Sequence, residues 1–194
     1  MASNKVKNIE YITLSDEWAT LNKIEYDYLF NDGSWKRLSR ESYDRGNGTS
    51  ILLYNTSNQN VILTKQFRMP AYHNNKEEGM SIETCAGAID GNESPETCII
   101  REVEEEVGIK ISTAKKVMET YMSPGAVTEK MYLFIAEYTE VMKISKGGGL
   151  ESENEEIEVL EMPFEKAVEM MNNGEIIDAK TVMLLQYAQI NQLL

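Results

Sequence analysis

"GAIDGNESPETCIIREVEEEVGI", residues 87–109, carries glutamates Glu102, Glu104, Glu105 and Glu106 within five consecutive positions. The run before them reads as a helix over 95–107. Ser94 is a good N-cap, Pro95 fits the first turn and Gly108 suits the C-terminal cap. Ile99, Ile100, Val103 and Val107 recur at the helical period and predict the buried stripe. On such a helix Glu102, Glu105 and Glu106 are neighbours. Each like-charge contact costs about 0.2–0.5 kcal/mol. Carboxylates near the helix C-terminus also oppose the helix dipole, by about 0.3–1 kcal/mol each. A solvated acidic face is the plain reading, but it leaves these costs uncompensated, with Arg101 and Lys110 the basic residues nearby.

The segments on either side set the fold class. Upstream, "VKNIEYITLS", "WATLNKIEYDYLF" and "WKRLSRESYDRG" alternate apolar and polar residues and read as three strands, with "NDGS" (31–34) as a hairpin turn. Three strands alone are marginal, so this piece needs a surface to pack on. After "RGNG" (45–48) the pattern changes to continuous β-branched runs, "TSILLYNT" and "VILTKQFR", as in buried strands. "GMSIETCAG", "TAKKVMETYM", "KMYLFIAEY" and "IEVLEMP" read as further strands, and two helices close the chain at about 164–173 and 180–193. "AYHNNKEE" reads as a polar loop, with His73 at the surface. Strands mixed with three helices predict an α/β domain over 46–194 behind an N-terminal β appendage over 1–45.

The 194 residues, 42% hydrophobic, suffice for one compact domain plus that appendage. A formal charge of −13 argues against nucleic acid or an anionic membrane as partner. No apolar run reaches the roughly 20 residues of a bilayer span. "MASNKVKNIEY" lacks the apolar core of a signal peptide, and Cys85 and Cys98 form no CxxC pair and read as reduced, buried thiols. The compartment expected is the cytoplasm.

A hard divalent cation would remove the cost of the glutamate run, because Mg²⁺ or Mn²⁺ takes carboxylate oxygens together with waters and phosphate oxygens. The letters around the run agree. Gly87, Glu93, Arg101, Glu102, Val103, Glu105, Glu106, Gly108 and Ile109 fall where the Nudix box has its fixed positions, so the stretch resembles that box. The resemblance implies an α/β/α sandwich with a mixed sheet, and a loop–helix–loop that holds Mg²⁺ (Mn²⁺ as alternative) against a diphosphate. Glu102 and Glu106 would share the metal, with the backbone carbonyl of Ala86 completing part of the set and Glu105 as an outer contributor. Glu93 and Arg101 would pair to brace the loop on the helix.

The similarity runs on through "YDRGNG" (43–48), "KQFR" (65–68), "YMSPGAVTE" (121–129), "EIEVLEMPF" (156–164) and "GEIIDAKTVMLLQY" (174–187), which resemble the GDP-mannose pyrophosphatases of the ADP-ribose pyrophosphatase-like group. By matched position, that resemblance implies substrate contacts from Trp18, Ser39, Arg40, Glu41, Arg68, Ala86, Gly87, Ala88, Asn154 and Lys180, with Trp18 stacking on the base. Glu129 would face the site and share catalysis with Glu106, and Glu155, or Glu153 in a shifted alignment, would complete the metal set. The group exchanges its N-terminal sheet across a homodimer. The implied reaction is hydrolysis of GDP-mannose to GMP and mannose 1-phosphate. ADP-ribose or another nucleotide sugar is the alternative substrate, and a non-catalytic nucleotide-sugar sensor is the alternative class. A calcium-loop reading finds no D-x-[DN]-x-[DN]-G motif.

Overall fold

The computed structural model describes residues 5–76, 79–150, 152 and 154–194. The chain forms two compact units. The first is the chain through Asn47 together with Tyr121–Lys130; the second is Gly48–Thr120 with Met131–Leu194.

In the first unit β1 (Val6–Asp16), β2 (Thr20–Leu29) and β3 (Trp35–Asp44) make an antiparallel meander in that order. The expected turn joins β2 to β3. Asp32 Oδ1 accepts from the Ser34 N–H at 2.9 Å, and Gly33 takes φ +83°, which glycine adopts without penalty. The 121–130 segment is tied to this unit by backbone bonds Tyr43 N–H to Ala126 O (2.8 Å) and Thr128 N–H to Tyr43 O (3.0 Å).

The second unit is built on a mixed seven-stranded sheet. Its order is β10 (Glu158–Pro163), β5 (Asn60–Phe67), β4 (Gly48–Asn55), β9 (Lys130–Glu137) and β8 (Lys115–Tyr121), with β6 (Met80–Glu83) on β5 and β7 (Cys85–Ala88) on β4. β4 runs parallel to β9 and antiparallel to β5 and β7. β4 and β5 read as continuous apolar runs because the sheet is covered on both faces. Ile51, Leu53, Ile62 and Phe134 join Ile99, Val103 and Val107 of the box helix in one core cluster. Leu52, Leu63 and Leu133 alternate to the other face, where α4 (Ala179–Ile190) packs on β4 and α3 (Phe164–Asn173) on β5. This is the α/β sandwich expected of the sequence.

Three local readings need correction. The segment 79–87 is two strands, broken at Thr84, whose N–H goes to Thr181 Oγ1 of α4 at 2.7 Å. The polar "AYHNN" stretch lies in a short helix, α1 (Met69–Asn75), with Pro70 in its first turn; His73 is exposed, as expected. The box helix is α-helical only over α2 (Pro95–Glu102). It widens into a π-helical turn over Val103–Val107 before ending at Gly108, φ +71°. Ser94 caps it as read, accepting from Thr97 N–H at 3.1 Å. Cys85 and Cys98 are free and buried.

Candidate active site

The second unit carries the glutamate run. Glu102 and Glu106 both lean on β7. Glu106 is 2% exposed and its Oε2 accepts from the Ala86 N–H at 3.1 Å. The carboxylate of Glu102 occupies the space over Gly87. A Cβ on that glycine would lie 2.0 Å from Glu102 Oε1, so only glycine leaves room for it. Burial pushes both carboxyls up to about 7, with their mutual repulsion adding to it at Glu102 and the charge of Glu155 adding to it at Glu106. A cation held by these two carboxyls would displace their protons.

Arg101 offsets more of the glutamate repulsion than pairwise spacing predicts. Arg101 bonds Glu93 at 3.0 Å, Glu102 at 2.9 Å and Glu105 at 2.8 Å. One guanidinium thus meets three of the box glutamates, with Asp90 beside them at 3.8 Å. The Glu93–Arg101 brace is present as expected. Glu105 is turned to Arg101, while the π-helical turn sends Glu106 into the protein against Ala86.

Among the described residues no three His, Cys, Asp or Glu side chains gather closely enough to hold an ion unaided. Two paired carboxylates suit a cation that keeps most of its shell as water and phosphate oxygen, as Mg²⁺ does. Glu155 is partly buried and its Oε2 accepts from Leu150 N–H at 3.1 Å. Asn154 is exposed with φ +55°. Glu153, the alternative to Glu155, lies outside the described residues. The loop that leads to them is held on the box by Gly148 N–H to Glu106 O (2.9 Å).

Arg68 and Lys180 meet on a residue the sequence reading passed over. Glu83, at the end of β6 and 3% exposed, accepts from Arg68 Nε and Nη2, each at 2.9 Å, and from Lys180 Nζ at 2.7 Å. Lys180 also reaches Asp178 Oδ1 at 2.9 Å, and Asp178 caps α4. Burial would raise the Glu83 carboxyl, but the Arg68 hydrogen bonds and the Lys180 charge outweigh it and hold the group at about 2. One signal was legible: a lone carboxylate in the otherwise neutral "SIETCAG" needs a counter-ion once that strand is buried.

The first unit carries the remaining positions. Trp18, in the β1–β2 turn, is 76% exposed. The Arg45 guanidinium lies 5.0 Å over its ring and pairs with Glu129 at 3.3 Å, so Arg45, unassigned from sequence, joins the two. Ser39, Arg40 and Glu41 are exposed on β3, and Arg40 Nη1 donates to Ser39 O at 2.7 Å. Arg40 and Glu41 line a groove of about 500 Å³ with Tyr26 of β2 and Tyr121 of the 121–130 segment.

Two family models match the chain in succession. Residues 5–43 match the "GDP-mannose pyrophosphatase NudK N-terminal domain" and residues 44–185 match the NUDIX domain. The chain is similar to the GDP-mannose pyrophosphatase of Enterobacter sp. (strain 638), 49% identical over 192 residues and 99% of each chain. It is also 50% identical to the proteins of that name from Escherichia coli O1:K1 and Salmonella typhimurium, over 181 residues and 93% of each chain.

Proposed function

Since the chain belongs to the Nudix hydrolases, we propose that it hydrolyses the diphosphate of a nucleotide sugar, GDP-mannose, to GMP and mannose 1-phosphate. Water forms a bond to one phosphorus, the bridging P–O bond breaks, and the proton ends on solvent or product. The observation that carries this is the placement of Glu102 and Glu106 against β7, the first in the space over Gly87 and the second, buried, on the Ala86 N–H. The identity of the relatives supports the nucleotide sugar.

Nudix hydrolases generally use divalent ions, and Mg²⁺ fits this donor set, with Mn²⁺ as substitute. Glu102, Glu106, the Ala86 carbonyl and Glu155 would hold it. Once bound, it neutralises charge on the diphosphate, an effect worth several kcal/mol. The protein's own groups do the rest. Ala86, Gly87 and Ala88 would meet the phosphates from β7, and Arg68 and Lys180 would supply positive charge to them. Trp18 offers a face for the base, Ser39, Arg40 and Glu41 offer polar groups to the nucleoside, and Asn154 a side-chain amide. Glu129 would serve with Glu106 as a catalytic carboxylate, either of which could take the proton of the attacking water.

We further read the protein as a cytoplasmic homodimer that exchanges its three-stranded sheet. Ile9, Tyr11, Ile12 and Leu14 of β1 are between 45% and 68% exposed, apolar surface that a partner subunit would cover. The two reduced thiols fit a reducing compartment. No helix among the described residues is long and apolar enough to cross a membrane.

The test is a panel of GDP-mannose, ADP-ribose and other nucleotide sugars with Mg²⁺ and product identification, repeated for Glu106→Gln. GDP-mannose should give the highest kcat/KM, and the variant should lose most of it. Full turnover in excess EDTA, or an unimpaired variant, would overturn the reading.

A further inference from the structure

Two cations from distant parts of the chain converge on one buried carboxylate. Arg68 follows β5 and Lys180 opens α4, and Glu83 accepts three hydrogen bonds from them, at 2.9, 2.9 and 2.7 Å. The Glu83 side chain is 4% exposed and Lys180 12%, while Arg68 stays 42% exposed. As pure scaffolding this is an expensive arrangement. Buried ion pairs contribute little net stability, and apolar residues of similar volume often do better. The neighbourhood is built to keep it nonetheless. The Thr84 N–H beside Glu83 is bound by Thr181 Oγ1, and Thr181 Oγ1 in turn donates to Asp178 Oδ2 at 2.6 Å, so the hub and the start of α4 are fixed as one piece.

The geometry of the bonds gives this hub a direction. Arg68 uses Nε and Nη2 on Glu83, which leaves Nη1 outside the pair on an exposed guanidinium. Free lysine and arginine side chains hold much rotamer entropy, which a phosphate ligand would have to overcome to order them. Here that ordering is done before a ligand arrives. The Arg68 charge also reaches Glu106, where it lowers the carboxyl, so the hub and the box share one electrostatic field.

We propose that Glu83 is a positioning residue for substrate, holding Arg68 and Lys180 as a preformed two-cation cradle for the diphosphate. This rests on the nucleotide-sugar reading above. Glu83 itself touches no substrate; it acts through the two cations.

The test is a mutant cycle. Glu83→Gln keeps the shape but loses the charge and one acceptor; it should raise KM for GDP-mannose at least tenfold and change kcat less. In a background of Arg68→Ala with Lys180→Ala, the same substitution should change kcat/KM less than twofold, because nothing is left to position. Glu83→Asp, which keeps the charge on a shorter stem, should recover part of the KM and serves in the cycle if the glutamine variant does not fold. A wild-type KM in a folded Glu83 variant, or an undiminished effect in the double-alanine background, overturns the proposal. Calorimetric binding of inorganic pyrophosphate with Mg²⁺ separates it from the choice of substrate. Should the wild type cleave no nucleotide sugar, Glu83→Gln should still weaken pyrophosphate binding about tenfold; unchanged or absent binding overturns the cradle itself.

Discussion

Gly87→Ala separates the fold from the site more cleanly than loss of a carboxylate does. The new Cβ would lie 2.0 Å from Glu102 Oε1 and 2.1 Å from its Cδ, whereas real Cβ atoms do not approach closer than 3.0 Å. The carboxylate therefore has to move by at least 1.0 Å (3.0 minus 2.0). Glu102 Cγ would lie 2.4 Å away as well, so the whole side chain has to swing from Cβ; it is a side chain rather than backbone, so it gives way and β7 stays. Gly87 sits in a strand, paired with Thr49, where alanine is conformationally acceptable. Removing a glycine there gains about 0.4–1 kcal/mol from the unfolded chain, which offsets the cost of moving Glu102. The melting temperature should stay within a few degrees of wild type. Activity should not. Displacing a group by about 1 Å costs on the order of 10²-fold in rate, so kcat/KM for GDP-mannose should fall by roughly that factor, with more Mg²⁺ needed for half-maximal rate. Steady-state hydrolysis across a Mg²⁺ titration, beside a thermal melt, measures both. A folded variant with wild-type kcat/KM and Mg²⁺ dependence would refute the placement of Glu102; a large loss of melting temperature would refute the claim that only the side chain yields.

Without metal, Glu102 and Glu106 have folded-state values of about 7 against 4.5 for the ordinary group, so the native state binds more protons in that window. Stability of the EDTA-treated protein should therefore fall as pH rises from about 5 through 8, by a few kcal/mol, and added Mg²⁺ should restore it at the alkaline end; a flat melting profile would contradict this. Glu83 runs the other way, its stabilisation present above pH 4.5 and lost as pH falls toward about 2. Trp18→Ala should raise KM for GDP-mannose roughly ten- to a hundredfold, from about 1–3 kcal/mol of stacking, and leave kcat less affected; an unchanged KM would make the ring a packing residue. Deleting residues 1–45 should give an inactive monomer or insoluble protein on size exclusion, because the deletion also removes Tyr43, to which the Glu129 segment is bonded; a fully active truncation would sink the shared site.

What sequence could supply here was what repeats locally. The helix caps, the apolar stripe Ile99–Val107 and the box spacing are properties of neighbouring residues, and each is found where expected. Glu83 was missed because its meaning depends on partners 15 and 97 positions away. The attachment of the 121–130 segment to Tyr43 was not legible because it is a bridge between residues far apart in sequence. The break at Thr84 depends likewise on Thr181. Arg101 was undervalued since pair rules count one partner at a time, whereas its planar fork serves three.

The π-helical turn at Val103–Val107 makes the box a matter of counting. Glu104 in its middle is exposed, and its chemistry is of little account. Its presence is another matter. The wide turn closes its hydrogen bonds one residue later than an α-helix does, so removing Glu104 would let the segment close to an ordinary α-helix and change the offset between Glu102 and Glu106 on which the Ala86 N–H contact depends. Gly108 would leave the place where Gly147 and Ser145 crowd against it. Substitution at this position should be tolerated freely and deletion not at all. Drift in this lineage can rewrite that letter, but it cannot shorten the word.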